Sequence, residues 1–501
     1  MSTTGNVVIS IADNGGSTNV VVPAPTVVAI AGCSSGGTVA AATPYSTSSI
    51  ATVIANSGYG PLAELAAMLI ARGATLIVTR LTQSAAGTAT SVTHTGTGTS
   101  VVTVTLDGVV GAYDTYAVKV TVPTTGAGTI GTSGAIQISL DAGRTTGPII
   151  SLGTANTYAI PHTGITLNFG VGTLVAGDVF TFGTVEPTAA VAGIQAWITA
   201  LQNSPFAVTG WGQMVLVGDL TGANASTIET NLDSLAANYL FDRMICNARD
   251  AHAPTGYGAG ETETTWMNAL LADYSATTAR RLAVSAGHYN MPSGIANSAA
   301  GTPRYRRPES WAIAARKVGK PVQVLSSRVK DGPLSSIVVD PTNDPTDGWI
   351  YHDERINPGL DAGRFMSAWT RLGQGQGFFV RSENLMSPAG SDFPLLAVGQ
   401  CFDNFCAALV QYFTANIDSS TRTNANGTIY ENDAQTLEKG AMGIVAASMP
   451  GQYQPANTKI VVDRSYNVKT NSKVLVTGTF GGLAYMREFD LTMQMQNPNA
   501  A

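Results

Sequence analysis

The chain has 501 residues, of which 44% are hydrophobic and only 12% charged, with a net charge of -6. Its length predicts several domains, and a charged share near half of the roughly 25% usual in globular proteins implies a surface largely covered by protein contacts. The weak acidic balance gives no basis for nucleic acid or an anionic membrane as a partner.

No run approaches the ~20 apolar residues of a membrane span, so no membrane insertion is expected. Met1-Ser2-Thr3-Thr4-Gly5 has neither the charged nor the apolar region of a secretory signal. In chain order, residues 6–11 form a short β-run, with Val7, Val8, Ile9 and Ile11 as its apolar members. Asp13, Asn14, Gly15 and Gly16 break it. The run is too short to be stable alone. Residues 1–19 are therefore an N-terminal arm, with 13–18 as its hinge.

From residue 20 the pattern is α/β. Residues 26–31 predict a strand, 32–37 a tight loop, 46–56 a short helix, 62–71 a helix ended by Gly73, and 75–80 a second buried strand. The composition then turns to Thr, Gly, Ser and Val. Residues 100–106, 116–122, 135–140, 165–169 and 178–182 are strand candidates separated by turns. The segment 83–186 is thus an inserted all-β domain between the core segment 20–82 and an α/β domain at 187–350.

In that α/β domain Thr188 is placed as the cap of a helix to Leu201. Strands follow at 214–217, 243–246 and 282–284, with helices through Ile228, Leu232 and Leu235, through Trp266, Leu270 and Tyr274, and at 309–318. Such alternation predicts a mostly parallel sheet covered by helices.

The C-terminal core, 351–455, contains a patterned helix. Ser391 and Asp392 are cap candidates before Pro394, and Val398, Phe402, Phe405, Leu409 and Phe413 recur at steps of three and four. A polar loop is expected next. The C-terminal sheet and arm, 456–501, follows with strands at 459–463, 473–477 and 483–493. Their arm-forming residues are Val474, Leu475, Val476, Tyr485, Arg487, Phe489 and Leu491. The fold class is α/β and α+β multidomain, with extended strand arms at both ends. Neither the run 6–11 nor the terminal strands have an evident partner in a monomer, and bare strand edges call for one.

Two blocks carry a family resemblance. The first runs from Val27-Val28-Ala29-Ile30-Ala31-Gly32 through Gly36-Gly37, Thr47-Ser48-Ser49, Gly60-Pro61 and Arg72-Gly73-Ala74 to a strand ending in Arg80. The second is the helix and closing sheet at 371–418 and 455–493. Their order resembles that of contractile tail sheath proteins of bacteriophages and related injection machines. The resemblance implies a sheath-type core, with the inserted all-β domain 83–186 as an outer one, and a structural, non-enzymatic subunit. It also implies stacked hexameric rings around a tail tube, with a neighbour's arm adding a strand to the C-terminal sheet, and contraction that drives the tube through the host envelope. Its partners would be other copies of the chain, the tail tube protein, and baseplate and tail-terminator proteins. Its place would be the virion tail, assembled in the host cytoplasm.

Other features carry less. Gly32 to Thr38 lacks the Lys and spacing of a phosphate loop, and Gly373 to Gly377 precedes a strand rather than following one, so both read as turns. Asp340, Asn343, Asp344, Asp347, Asp353 and Glu354 supply oxygen donors but no EF-hand spacing. His94, His162, His252, His288 and His352 form no zinc or triad pattern. No catalytic, cofactor or metal site is expected. Cys33, Cys246, Cys401 and Cys406 are either buried thiols or inter-subunit disulfides. Arg304, Arg306, Arg307, Arg316, Lys317 and Lys320 read as contacts to acidic patches on neighbours or as a solvated face. The alternative to a sheath is a tail-tube or other outer virion attachment protein with a carbohydrate-facing insert, and a third reading is an α/β enzyme.

Overall fold

The computed structural model describes residues 7–8, 26–250, 261–337, 359–370, 377–417 and 419–485. It forms two compact units, Ala12–Ile417 and a smaller one made of Met1–Ile11 with Asp418–Ala501. The first strand, β1 (Val7–Val8), belongs to the smaller unit.

In the larger unit β2 (Val27–Gly32), β3 (Tyr45–Thr47), α1 (Ile50–Ser57), α2 (Pro61–Ile70) and β4 (Thr75–Arg80) come first. β2 is an unbroken apolar run because both its faces are buried. Pro61 starts α2 where no backbone donor is needed, and Gly73 takes the left-handed turn after it, at φ 85°.

Between β4 and the next helix the elements are strands alone. They are β5 (Thr88–Ala89), β6 (Thr93–Thr95), β7 (Val102–Leu106), β8 (Ala117–Thr121), β9 (Gly128–Thr129), β10 (Ala135–Ser139), β11 (Ile150–Ser151), β12 (Thr157–Ile160), β13 (Ile165–Phe169), β14 (Thr173–Leu174) and β15 (Val179–Val185). All their pairings are antiparallel, in sheets ordered β11-β10-β8-β15-β5, β12-β13-β7 and β14-β9, with β6 also on β15. Val120, Ile136, Ile138, Leu167 and Phe180 centre their own core cluster, which also takes in Tyr305.

The chain then continues through α3 (Val191–Gln202), α4 (Phe206–Thr209), β16 (Gln213–Asp219), α5 (Gly222–Ala237), β17 (Met244–Asn247), α6 (Glu263–Asp273) and β18 (Leu282–Ser285). One six-stranded sheet of order β18-β17-β16-β2-β4-β3 joins strands from the 20–82 and 187–350 segments. All its pairings are parallel except that of the edge strand β3. The mostly parallel, helix-covered sheet expected from the alternation is therefore present, and Trp197, Trp266 and Trp311 are fully buried in its core. Thr188 does not cap α3, whose N-cap is Ala190. Its carbonyl instead accepts from the backbone N–H groups of Ser84 and Ala85.

β19 (His288–Pro292) and β20 (Arg304–Pro308) pair antiparallel before α7 (Glu309–Lys317), and β21 (Ser367–Trp369) pairs with β22 (Phe379–Ser382). α8 (Leu396–Ala415) begins later than its cap candidates suggested. Leu385 and Leu396 donate backbone hydrogen bonds to Pro394 and Glu383, which holds the segment before α8 in an extended pairing. The stripe residues Val398, Phe405, Leu409 and Phe413 are buried, and Phe402 is half-buried against Phe393. Gln400, Asp403 and Asn404 on the polar side of the pattern are buried as well.

The smaller unit continues with α9 (Glu431–Ser448), β23 (Lys459–Val462), α10 (Val468–Asn471) and β24 (Val476–Thr479). α9 stands where a polar loop was expected. Its inner stripe is Ala434, Ala441 and Val445, so short side chains gave little hydrophobic contrast. The third terminal strand is absent as far as Tyr485, and its remainder lies outside the described residues.

Candidate functional site

The smaller unit is built around one three-stranded antiparallel sheet, ordered β1-β24-β23. Ile460 and Val462 of β23 are buried, while Lys459 and Val461 are exposed. This period of two gives the strand one dry face and one wet face. Ile429, Ala434, Val462 and Val468 form the core cluster, with Leu437, Val474 and Val476 packed against it. Glu438 of α9 accepts the backbone N–H of Val462 at 2.7 Å and also binds Arg464. Hydrogen bonding to Arg464 holds the Glu438 carboxyl below its usual range. Arg464 also reaches Glu431 at 3.2 Å, so β23 is tied to α9 by charge as well as by apolar contact.

β24 is the middle strand only because β1 lies beside it. Val7 pairs with Gly478 and Val8 with Thr477, while β23 holds the opposite side of β24. This corrects the expectation that the N-terminal run has no partner in its own chain. Of the expected arm residues, Val476 lies in β24, Val474 and Leu475 lead into it, and Tyr485 lies beyond it outside any strand. Ile9, Ile11, Arg487, Phe489 and Leu491 lie outside the described residues, as do the hinge 13–18, the acidic loop 340–354, His252 and His352.

All four cysteines are free and buried. Burial pushes the Cys33, Cys246 and Cys401 thiols up to about 12 and that of Cys406 higher still. The basic cluster serves its own chain. Arg307 clasps Asp114, with Nη1 at 2.7 Å from Oδ1; Arg306 clasps Asp250, with Nη2 at 2.9 Å from Oδ1. Lys317 meets Glu383 at 3.1 Å and Lys320 meets Asp331 at 2.7 Å. Arg316 donates to the carbonyls of Gly332 and Arg328. These partners replace both the neighbour-contact and the solvated-face readings for Arg306, Arg307 and Lys317, because buried guanidinium and ammonium groups demand local acceptors.

The glycine loop after β2 is a structural turn. Ser35, Gly36 and Thr38 donate their backbone N–H groups to the carbonyls of Tyr59, Ser57 and Ala55, so these donors are not offered to a phosphate. At the carboxyl ends of the parallel strands, however, lies a cavity of about 320 Å³. Gly32 ends β2 against it so closely that a Cβ there would sit 2.6 Å from Val217 Cβ. Glu186, Asp219 and Asn247 line the cavity beside Leu81, Ile194 and Trp311. Burial and the Asp114 carboxylate raise Glu186 to about 7. Although the Asp219 side chain is 41% exposed, desolvation inside the cavity and the charges of Glu186 and Asp250 raise its carboxyl above the ordinary value. His288 lies 3.9 Å from Asp219 and 3.8 Å from Asp250. Among the described residues no group of three His, Cys, Asp or Glu side chains gathers to hold a metal ion, and no helix is long and apolar enough to cross a membrane.

The family described as DUF2586, N-terminal domain, matches residues 4–354. No curated protein matches the sequence. Among solved structures, the chain is similar to the sheath tail protein of Listeria innocua, at 11% identity and a TM-score of 0.42, covering 92% of this chain and 96% of that one. It is also similar to the helical sheath of the anti-feeding prophage in its contracted state, at 11% identity and TM-score 0.39, over 64% of this chain and 79% of that one. A third likeness is to the contracted PVC sheath complex of an extracellular contractile injection system, at 11% identity and TM-score 0.41, over 60% and 75%.

Proposed function

This chain belongs to the DUF2586 family, and from its strand edges we propose that it is a non-enzymatic structural subunit of a contractile tail sheath. Copies stack as hexameric rings around a tail tube, and the N-terminal arm of one subunit fills the edge of β24 in another. Contraction drives the tube through the host envelope, and the working place is the virion tail. Tube, baseplate and tail-terminator proteins are the further partners.

The observation that carries this reading is the docking of β1 on β24. Without β1, β24 is a bare edge able to accept any strand of matching register. A copy of the same arm from a neighbour meets the same groups, so exchange between chains retains every backbone bond. A two-residue ladder is worth only about 1 kcal/mol per hydrogen bond, which makes a single arm easy to release. Many arms acting together in a lattice make the whole persistent. The fourteen residues from Ala12 to Pro25 span at most about 50 Å when fully extended, enough to reach an adjacent subunit.

Deletion of residues 1–12 tests the proposal. The expected result is folded monomers that give no cylinders by negative-stain microscopy. Intact cylinders from the truncated chain would overturn strand exchange as the link.

A further inference from the structure

The parallel sheet changes direction at β2, with β4 on one side and β16 on the other. In open α/β sheets, the crevice outside the strand ends at such a switch point is where ligands bind. The cavity lies there, lined by Cys33 after β2, Leu81 after β4, Asp219 ending β16 and Asn247 ending β17. Its volume of about 320 Å³ falls at the lower end of small-molecule sites.

The polar groups on its wall are unmatched in one direction. Two of the cations on the wall are already taken, since Arg306 is held by Asp250 and Arg307 by Asp114, and the third arginine, Arg304, is exposed. Acceptors remain. Asn247 is 1% exposed, and its amide donates to Asp219. That leaves Asn247 Oδ1 buried with no hydrogen-bond partner among the described residues. No described residue donates to the Glu186 carboxylate, whose charge is near enough to raise the proton affinity of Asp219. The rest of the wall is mainly hydrocarbon. An anion would meet carboxylates, and a neutral apolar molecule would leave the acceptors unmet. A metal ion would find no cluster of three ligating side chains among the described residues.

We propose that the cavity binds a small organic amine, its ammonium held by Glu186, Asp219 and Asn247 Oδ1 and its hydrocarbon body lying against Leu81, Ile194, Val217 and Trp311. The ammonium supplies the donor that Glu186 and Asn247 Oδ1 lack and offsets the like charges of Glu186 and Asp219. This site is independent of the arm and of assembly.

Calorimetric titration of the full chain at pH 8 with n-pentylamine, n-pentanol and pentanoate tests it. Pentylamine is expected to bind once per chain, with the alcohol and the acid at least about tenfold weaker, as for loss of one charge-assisted hydrogen bond. Glu186→Gln and Asp219→Asn are each expected to weaken the amine by about tenfold or more. Affinity of the unaltered chain should fall between pH 8 and 6, because Glu186 takes up its proton near 7. Glu186→Gln should melt no lower than the parent, which separates lost binding from lost folding. Equal binding of alcohol and amine, undiminished binding by both variants, or affinity independent of pH would each overturn the proposal. Absence of amine binding would overturn it outright, and failure of both variants to form cylinders would then assign the cavity to a lysine of another copy.

Discussion

The larger unit buries its parallel strands on both faces and pairs several of its buried charged side chains with one another. Arg243 is clasped by Asp403, Nε to Oδ2 at 2.7 Å, with both side chains under 5% exposed, and Arg281 adds a contact to Asp403 at 3.4 Å. The smaller unit instead has a sheet with one wet face, a cluster of four buried apolar side chains, and ion pairs open to water. A region that completes its own edges and core is a scaffold. In the smaller unit the middle strand, β24, is instead completed by a strand from the far end of the chain.

Removing a partner from the buried set should have the largest effect. Asp403→Ala strands the buried Arg243 guanidinium, while Arg281 keeps Asp233 at 3.0 Å, and is expected to cost about 3–5 kcal/mol, lowering the melting temperature of the larger unit sharply. A shift no greater than that of a surface variant would show that water enters the site and that the contrast between the units is false.

Next comes Ile429→Ala, at a position 1% exposed in the small cluster. Its cost of about 2–5 kcal/mol is a large share of what so small a core supplies. Hydrogen exchange should therefore rise across residues 419–485 while 27–337 stay protected. Uniform loss of protection would mean that the two units unfold as one.

Acid should move the units in opposite directions. Burial raises Glu64 to about 7, against the Arg307 charge that lowers it, and Glu186 also lies near 7. Such groups bind more protons folded than unfolded, so stability of the larger unit falls as pH rises from about 4.5 to 7. Glu438 and Glu431 are lowered by Arg464. Their contribution is present above the ordinary carboxyl value and is lost as pH falls through the lowered one. Exchange protection measured from pH 7.5 to 4 should rise at first in the larger unit and fall toward pH 4 in the smaller. Parallel trends would refute the electrostatic distinction.

The smallest effect is expected at Arg422→Ala. Its ion pair with Asp433 leaves the arginine side chain 68% exposed, where solvent screens the attraction. The melting curve should not change measurably, and a clear drop would place Arg422 in an unrecognised contact.

The amino-acid sequence by itself determined the elements whose burial is local and regular. Unbroken apolar runs marked β2 and β4, alternation marked β13, and the three-and-four spacing marked most of α8. It also pointed to residues 6–11 and the strands after 455 as edges, although Gly478 and Thr477 as the register of the arm could not be read from it. α9 escaped because alanine fills most of its inner stripe. Only tertiary structure joined β2 and β4 to β16 through β18, matched Arg243 to Asp403 across 160 positions, and gathered Glu186, Asp219 and Asn247 around one cavity. Periodicity records which side of an element is dry, whereas pairings between distant residues depend on how whole elements close over one another and leave no period in the chain.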